Sequence, residues 1–330
     1  MVSVRGATRF VLGLAMMPLL LTREGMAWGG DGHRLINRIA VMNLPKEVPA
    51  FLRTGEALDL VEYMGPEPDR WRSRAEEELA AEQAPEHFID LEWADLVGPL
   101  PHHRYDFVRA LEKAQARHRE LTLTPEKVGM QPYAAIEVWE RMKGAMREDR
   151  RLAATNADTR PVEMAILFYA GWLGHFVGDG SQPLHVSFQY NGWTGANAKG
   201  YTTEHTIHAQ FESAYVSANV KPGDVASLVQ AAPAKVLTGD AFDGYVDYLR
   251  HTSTMVERTY EIEKAGGFVD AGTAEARSFT DERLAAAAIE LRDMIYTAWV
   301  RSADPVPEFR GAAGGAGSGF GAGSGSGAGD

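Results

Sequence analysis

The segment HFVGDGSQPLH, residues 175–185, constrains the fold of this chain more than any other part of the sequence. His175 and Asp179 are four positions apart, so a helix would place both side chains on one face. Pro183 lacks a backbone N–H and disfavours helical geometry at the residue before it. The segment therefore predicts a helix that carries two side chains of metal-ligand type and ends near Pro183, with His185 in the loop that follows.

A second pair, His208 and Glu212, repeats the four-residue spacing. Two helices and a loop could thus bring five side chains of metal-ligand type together. The sequence has no cysteine, so a metal site must use nitrogen and oxygen ligands, and no disulfide can stabilise the fold. Imidazole and carboxylate ligands suit zinc, although ligand type alone leaves manganese and iron open.

Helical periodicity dominates the rest of the chain, and convincing alternating strand patterns are absent. The stretch 162–177 is apolar nearly all round, which predicts a helix buried at the centre of the fold. Further helices are predicted over 35–44, 107–118, 136–146, 225–237, 242–265 and 280–301. We therefore predict an all-α fold, built as a single helical domain.

The two ends of the sequence differ from this domain. Residues 1–27 resemble an export signal, with two early arginines, an apolar run and a small-residue site that ends at Ala27. The apolar run is shorter than the roughly 20 residues that a membrane span needs, and the other alternative is a disordered, uncleaved terminus. Residues 311–330 are almost entirely Gly, Ala and Ser, which predicts a flexible tail. The expected catalytic domain is 28–310.

The chain carries a formal net charge of −12. Neutralised phosphates supply most of the affinity in nonspecific duplex binding, so an acidic chain is a poor candidate for wrapping duplex DNA. An anionic substrate would have to meet a local positive centre.

Five short blocks resemble the superfamily of S1/P1 nucleases and zinc-dependent phospholipases C, and they occur in the order of that family. The blocks are WGGDGH at 28–33, DRWR at 69–72, HFID at 87–90, HFVGDGSQPLH at 175–185 and HAQFE at 208–212. The resemblance implies an all-α phosphodiesterase with a trinuclear zinc site.

The resemblance also implies which residues bind the three Zn²⁺ ions. The first ion would be held by Asp69, His87, His175 and Asp179. The second would be held by His185, His208 and Glu212. The third would be held by His33, a shared Asp179, and the α-amino nitrogen and carbonyl oxygen of Trp28.

Ligation by Trp28 would make removal of residues 1–27 a condition for activity. In the precursor, the Trp28 nitrogen is an amide whose lone pair is delocalised, whereas a free terminal amine can donate its lone pair to a metal. We therefore predict that the uncleaved protein cannot assemble the third site.

The family pattern further implies catalysis by metal-activated water, without a protein nucleophile. Asp69 could orient the water or accept its proton. Arg72 could donate to a phosphate oxygen, although it could equally be a solvated charge. Phe88 and Asp90 match a base pocket in which the ring stacks on a nucleobase and the carboxylate accepts from its edge, with core packing and helix capping as the alternatives.

Two branches of the superfamily remain open from the sequence. The close spacing of Trp28 and His33, and the long interval between His185 and His208, resemble the nucleases. Glu212 stands where the nucleases usually have Asp and the phospholipases have Glu.

The leading prediction is an exported endonuclease, periplasmic or secreted, that hydrolyses single-stranded DNA or RNA and could also remove a 3′-phosphate. The alternatives are a phospholipase C and a non-catalytic metal-binding protein. We expect no stable membrane insertion after signal removal, and no protein partner is implied.

Overall fold

A computed structural model describes residues 28–307 of the 330-residue chain. The predicted export signal at 1–27 and the predicted tail at 311–330 lie outside the described residues. Within residues 28–307 the fold is helical and contains no strand, which confirms the all-α prediction. None of the helices in this part of the chain combines the length and apolar character that crossing a membrane requires.

The longer helices, of nine residues or more, are α1 (Gly29–Met42), α2 (Gly55–Met64), α6 (Arg104–Arg117), α8 (Gln131–Ala154), α9 (Arg160–Ser181), α12 (Pro222–Ala231), α13 (Ala241–Ser253), α14 (Val256–Lys264) and α15 (Ala274–Arg301). The shorter ones are α3 (Glu67–Arg70), α4 (Glu77–Gln83), α5 (Leu91–Ala94), α7 (Pro125–Val128), α10 (Ile207–Ala209) and α11 (Val216–Asn219). A π-helical segment, Gln210–Tyr215, joins α10 to α11. Short 3₁₀ turns occur at Ala50–Arg53, Ala84–His87, Asp95–Val97 and Pro183–His185.

Helix α9 is the central helix, as its apolar sequence predicts. It packs against α1, α2, α8, α13 and α15, and its residues from Leu173 to Ser181 are all buried. The helix ends at Ser181 because Gln182, which precedes Pro183, has the extended backbone angles φ −87° and ψ 115°. His185 then follows in a 3₁₀ turn, close to where the sequence places it.

Three glycines of α9 let the neighbouring helices approach closely. A Cβ atom on Gly171 would lie 2.4 Å from the Met64 Cβ of α2, and one on Gly174 would lie 1.9 Å from the Asn37 Oδ1 of α1. A Cβ on Gly178 would lie 2.8 Å from the His33 Nδ1 of α1. These separations are far below van der Waals contact, so only glycine fits where α9 packs against α2 and against α1, the helix that carries His33.

Gly174→Ala is therefore expected to lower the free energy of unfolding by about 1–3 kcal/mol, the usual cost of overpacking. Asn37 has little freedom to move, because its Nδ2 donates to the carbonyls of Val61 and Gly171. The matched control is Gly144→Ala on α8, where an added Cβ meets open space. This control should gain about 0.5–1 kcal/mol from better helix propensity. Urea unfolding that shows no difference between the two variants would contradict this packing argument.

The predicted helices are present with boundaries shifted by up to eight residues, and two of them end in a way that the sequence periodicity does not predict. The stretch predicted as one helix over 242–265 is two, α13 and α14, because the hydroxyls of Ser253 and Thr254 donate to the carbonyls of Arg250 and His251 and end the first helix. The helix predicted over 225–237 is α12, which ends earlier because Pro233 forces the residue before it into an extended conformation.

Candidate metal centre

Eight of the nine predicted metal ligands have side chains that meet at the middle of the molecule. They come from α1 (His33), α3 (Asp69), the turn Ala84–His87 (His87), α9 (His175 and Asp179), the turn Pro183–His185 (His185), α10 (His208) and the π-helical segment (Glu212). All of them are buried except His208, whose side chain is 15% exposed. The structure thus brings together residues from seven separate elements.

Asp179 lies between four histidines. Its Oδ1 is 3.4 Å from His33 Nε2 and 3.8 Å from His185 Nδ1. Its Oδ2 is 3.2 Å from His87 Nδ1 and 3.4 Å from His175 Nε2. Burial would raise the pKa of Asp179, but the charges of His175 and His185 outweigh burial and hold that pKa well below its usual value. Asp179 is therefore a buried carboxylate within 4 Å of four imidazole rings.

Asp69 faces the same group from α3. Its Oδ1 is 3.8 Å from His87 Nδ1 and 3.9 Å from His175 Nε2. The same oxygen lies 3.3 Å from a guanidinium nitrogen of Arg72, so the arginine is anchored to the centre instead of lying free on the surface. His33, Asp69 and His175 form one potential metal-binding group, and His87, His175 and Asp179 form another.

His185, His208 and Glu212 form a third potential metal-binding group. The two imidazole Nε2 atoms are 3.1 Å apart, and Glu212 Oε2 lies 3.4 Å from the first and 3.0 Å from the second. Burial opposes ionisation of Glu212, but His208 and His185 outweigh burial and lower the pKa of Glu212 to about 2. The π-helical turn that carries Glu212 is a rare local structure that frequently marks functional sites.

Backbone carbonyls determine which nitrogen of three of these histidines can bind a metal. The Nδ1 atoms of His175, His185 and His208 lie 2.8, 2.8 and 3.0 Å from the carbonyl oxygens of Gly65, His87 and Tyr190, in that order. A carbonyl only accepts, so each Nδ1 must carry the hydrogen and each neutral ring presents a lone pair at Nε2. In their neutral forms, His185 and His208 have facing lone pairs 3.1 Å apart, which repel unless a proton or a metal ion lies between them.

Unpartnered buried atoms show the same fit to a cation. Within residues 28–307, buried atoms without a hydrogen-bond partner include His33 Nε2, Asp69 Oδ2, Asp179 Oδ1 and Glu212 Oε1. Leaving such atoms unsatisfied is costly, and native proteins rarely do so without an ion or water. An oxygen and nitrogen donor set with three carboxylates therefore fits divalent metal ions.

Trp28, the ninth predicted ligand residue, is completely buried beside α9. Its indole Nε1 donates to the carbonyl of Gly178 at 2.7 Å and lies 3.0 Å from the hydroxyl oxygen of Ser181. The ring packs edge-on against Phe211, next to Glu212 in sequence. The side chain of Trp28 is thus fixed against the metal-bearing elements, whereas ligation by its main chain stays a prediction.

A cavity of about 650 Å³ opens beside the metal centre. Its wall includes the predicted substrate-side residues Arg72, Phe88 and Asp90, together with His87, His185 and His208. Tyr190, from the loop between His185 and His208, also lines the cavity. A second cavity, of about 500 Å³, lies between α8, α13 and α15 and contains none of the predicted site residues.

The carboxyl group of Asp90 is buried at the cavity wall. Burial, with a contribution from the charge of Glu92, raises the pKa of Asp90 to about 8. Asp90 is the N-cap residue of α5, but its side chain makes no capping hydrogen bond, so the structure does not support the capping alternative. Phe88 is half-buried and lines the cavity, so it is not simply a core residue.

Two aromatic residues of this cavity escaped the sequence interpretation. Trp93 and Phe188 stack with ring centroids 5.4 Å apart and an interplanar angle of 10°. Each lies a few residues after a predicted ligand, Trp93 after His87 and Phe188 after His185. Proximity to a ligand motif was the available signal, but nothing in the sequence indicates that these two rings meet.

The family comparison agrees with the geometry of the site. A protein-family model described as S1/P1 Nuclease matches residues 28–315. The matched region contains all of the residues of the metal centre and of the cavity beside it. No curated protein matches this chain at a significant level.

Proposed function

This chain belongs to the S1/P1 nuclease family, a family of phosphodiesterase hydrolases, and from this premise we propose that it is a zinc-dependent endonuclease for single-stranded DNA and RNA. We further propose that residues 1–27 direct export and are removed, and that residues 28–310 form the catalytic domain. The position of Asp179 among four histidines, inside the family match, is the observation that carries this proposal.

We propose three zinc ions in this centre. Asp69, His87, His175 and Asp179 would hold one ion, and His185, His208 and Glu212 would hold another. His33 and Asp179 would hold the third ion together with the terminal amine and carbonyl of Trp28. The proximity of these side chains, their unpartnered atoms and the carbonyl-fixed imidazoles support metal binding by this set of residues, and the division among three ions follows the family resemblance.

The metal ions, when bound, lower the pKa of water and stabilise negative charge on phosphate oxygens. The protein's own residues supply positioning and proton transfer. Asp69 has one oxygen near Arg72 and a second without a hydrogen-bond partner, so the second oxygen can orient a water molecule or accept its proton. Arg72 lines the cavity while it contacts Asp69, so its remaining N–H groups can donate to a phosphate oxygen.

The aromatic wall of the cavity supports a nucleic-acid substrate. Phe88 presents a half-buried ring, and Trp93 and Phe188 add a stacked pair to the same wall. Stacking on aromatic rings requires an unpaired base, which favours single strands over duplex. A neutral Asp90 can donate a hydrogen bond to a base edge, and its ionised form can accept one.

The substrate class can be tested directly. Metal-replete mature protein is incubated with single-stranded DNA, RNA and phosphatidylcholine micelles, with and without a chelator. We expect rapid hydrolysis of both nucleic acids, complete loss of that activity with the chelator, and no lipid turnover. Turnover of phosphatidylcholine alone would show a phospholipase C, and no turnover by protein with three bound metals would show a non-catalytic metal-binding protein.

Phe88→Ala is expected to raise KM for a dinucleotide by about tenfold, because one stacked base contributes about 1–3 kcal/mol. The kcat value should change little, since the proposed role of the ring is to bind the base and not the reacting phosphate. The matched control is a sugar-phosphate diester without bases, for which the variant and the original protein should have the same kcat/KM. An equal loss with both substrates would show that Phe88 supports the fold of the cavity and does not bind the base.

A further inference from the structure

A row of aromatic and arginine side chains lies on the surface formed by α8, α9 and the end of α3. Trp71, directly after α3, lies edge-on against Trp172 of α9 with ring centroids 5.0 Å apart. Phe168, one helical turn earlier in α9, packs against Trp172 at 5.9 Å. The guanidinium of Arg141 from α8 lies over the Trp172 ring at 5.7 Å. We call these four residues the aromatic–arginine row.

The row begins at Trp71, the sequence neighbour of Arg72, which lines the metal cavity. Trp71 lies between Asp69, in the metal centre, and Arg72, which lines the cavity. The row therefore starts at the edge of the cavity and leads away from it along α9, toward Phe168. A polymer bound with one phosphodiester at the metal centre would have a path from Arg72 over Trp71 to the outer part of the row.

The outer part of the row is accessible. Phe168 is 37% exposed, and Arg141 is exposed as well. Arg141 forms no ion pair with a carboxylate in the described part of the chain, so its guanidinium is available to an external anion. Partly exposed rings next to an unpaired guanidinium combine the two features that bind single strands: stacking surfaces for bases and positive charge for phosphates.

Resting on the proposed nuclease function, we propose that this row binds the part of a single-stranded DNA or RNA substrate that extends beyond the cavity. Bases stack on the exposed ring of Phe168 and on the partly exposed ring of Trp71, and Arg141 pairs with a backbone phosphate. A net charge of −12 repels a polyanion at long range, so a chain of this charge needs such a local surface to hold a long substrate. The row makes the enzyme prefer polymers to dinucleotides.

The test compares kcat/KM for a single strand of about 20 nucleotides with kcat/KM for a dinucleotide. The long strand exceeds the roughly 4–16 nucleotides that one single-strand binding surface covers, whereas the dinucleotide is too short to reach the row. The variant is Phe168→Ala combined with Arg141→Glu, which changes only the exposed end of the row. The control is Leu228→Ala combined with Arg119→Glu, which removes an exposed apolar side chain and reverses an exposed charge elsewhere. All proteins are used metal-replete.

The row variant should lose about tenfold or more in kcat/KM for the long strand, through KM, and keep its kcat/KM for the dinucleotide. The control should match the original protein on both substrates. An unchanged KM for the long strand would overturn the row as a binding surface, while dinucleotide cleavage by the same samples would leave the nuclease proposal intact. Failure of the original protein to cleave either nucleic acid would instead overturn the nuclease function.

Discussion

Asp179→Asn should abolish phosphodiesterase activity and reduce the zinc content of the protein. Among the described residues, Asp179 is the one carboxylate that lies within 4 Å of all four of His33, His87, His175 and His185. An amide keeps the shape of the side chain but has no charge to bind or bridge metal ions. The loss of activity should exceed the roughly 10²- to 10³-fold that removal of a single preorganised electrostatic group costs. The readouts are the rate on single-stranded DNA and the number of zinc ions per chain.

Stability should fall in the same variant. Bound metal stabilises the folded state by mass action, so weaker metal binding lowers the melting temperature measured at a fixed zinc concentration. The matched control is Asp149→Asn, which neutralises another buried carboxylate, on α8 and outside the metal centre. The control should keep its zinc and its activity. Full zinc content and full activity in Asp179→Asn would rule out a bridging role for this carboxylate.

A single residue added before Trp28 should remove one of the three proposed zinc ions and most of the activity. An added residue converts the terminal amine of Trp28 into an amide, whose delocalised lone pair is not available to a metal. The fold should survive, because the indole is held by its hydrogen bonds to Gly178 and Ser181 and not by the main-chain nitrogen. Loss of a group that hydrogen-bonds to a metal ligand typically costs about 10–100-fold in metal affinity or activity, and loss of a ligand itself should cost at least that.

The comparison requires two proteins that differ only at this position, one starting at Trp28 and one carrying an extra glycine before it. A third protein, with the extra glycine at the other end of the chain, controls for the added residue. Zinc content, activity on single-stranded DNA and melting temperature are measured for all three. Equal zinc content and activity in the three proteins would exclude the amine of Trp28 as a ligand. Activity would then not depend on the removal of residues 1–27.

Local sequence determined the elements that carry the site. The apolar run around Leu173 predicts the central helix, and a four-residue spacing within one helix fixes His175 and Asp179 on the same face by geometry alone. Pro183 predicts the end of that helix, because its effect on the preceding residue needs no distant partner. The grouping of His33, Asp69 and His87 with these residues depended on the family resemblance, since no local rule relates them.

Tertiary structure decided which distant groups meet. The carbonyl of Gly65 fixes the His175 ring, and Trp93 stacks on Phe188. Both contacts join residues that are far apart in the sequence, so no local sequence pattern predicts them. The break between α13 and α14 occurs where side-chain hydroxyls donate to backbone carbonyls at the end of α13. The periodicity of apolar residues does not predict this competition. The sequence by itself thus determined the helices and the ligand types of this protein. The packing of α1 and α2 on the glycines of α9 decided that the ligands form one centre, because those contacts exist only when the helices are in place.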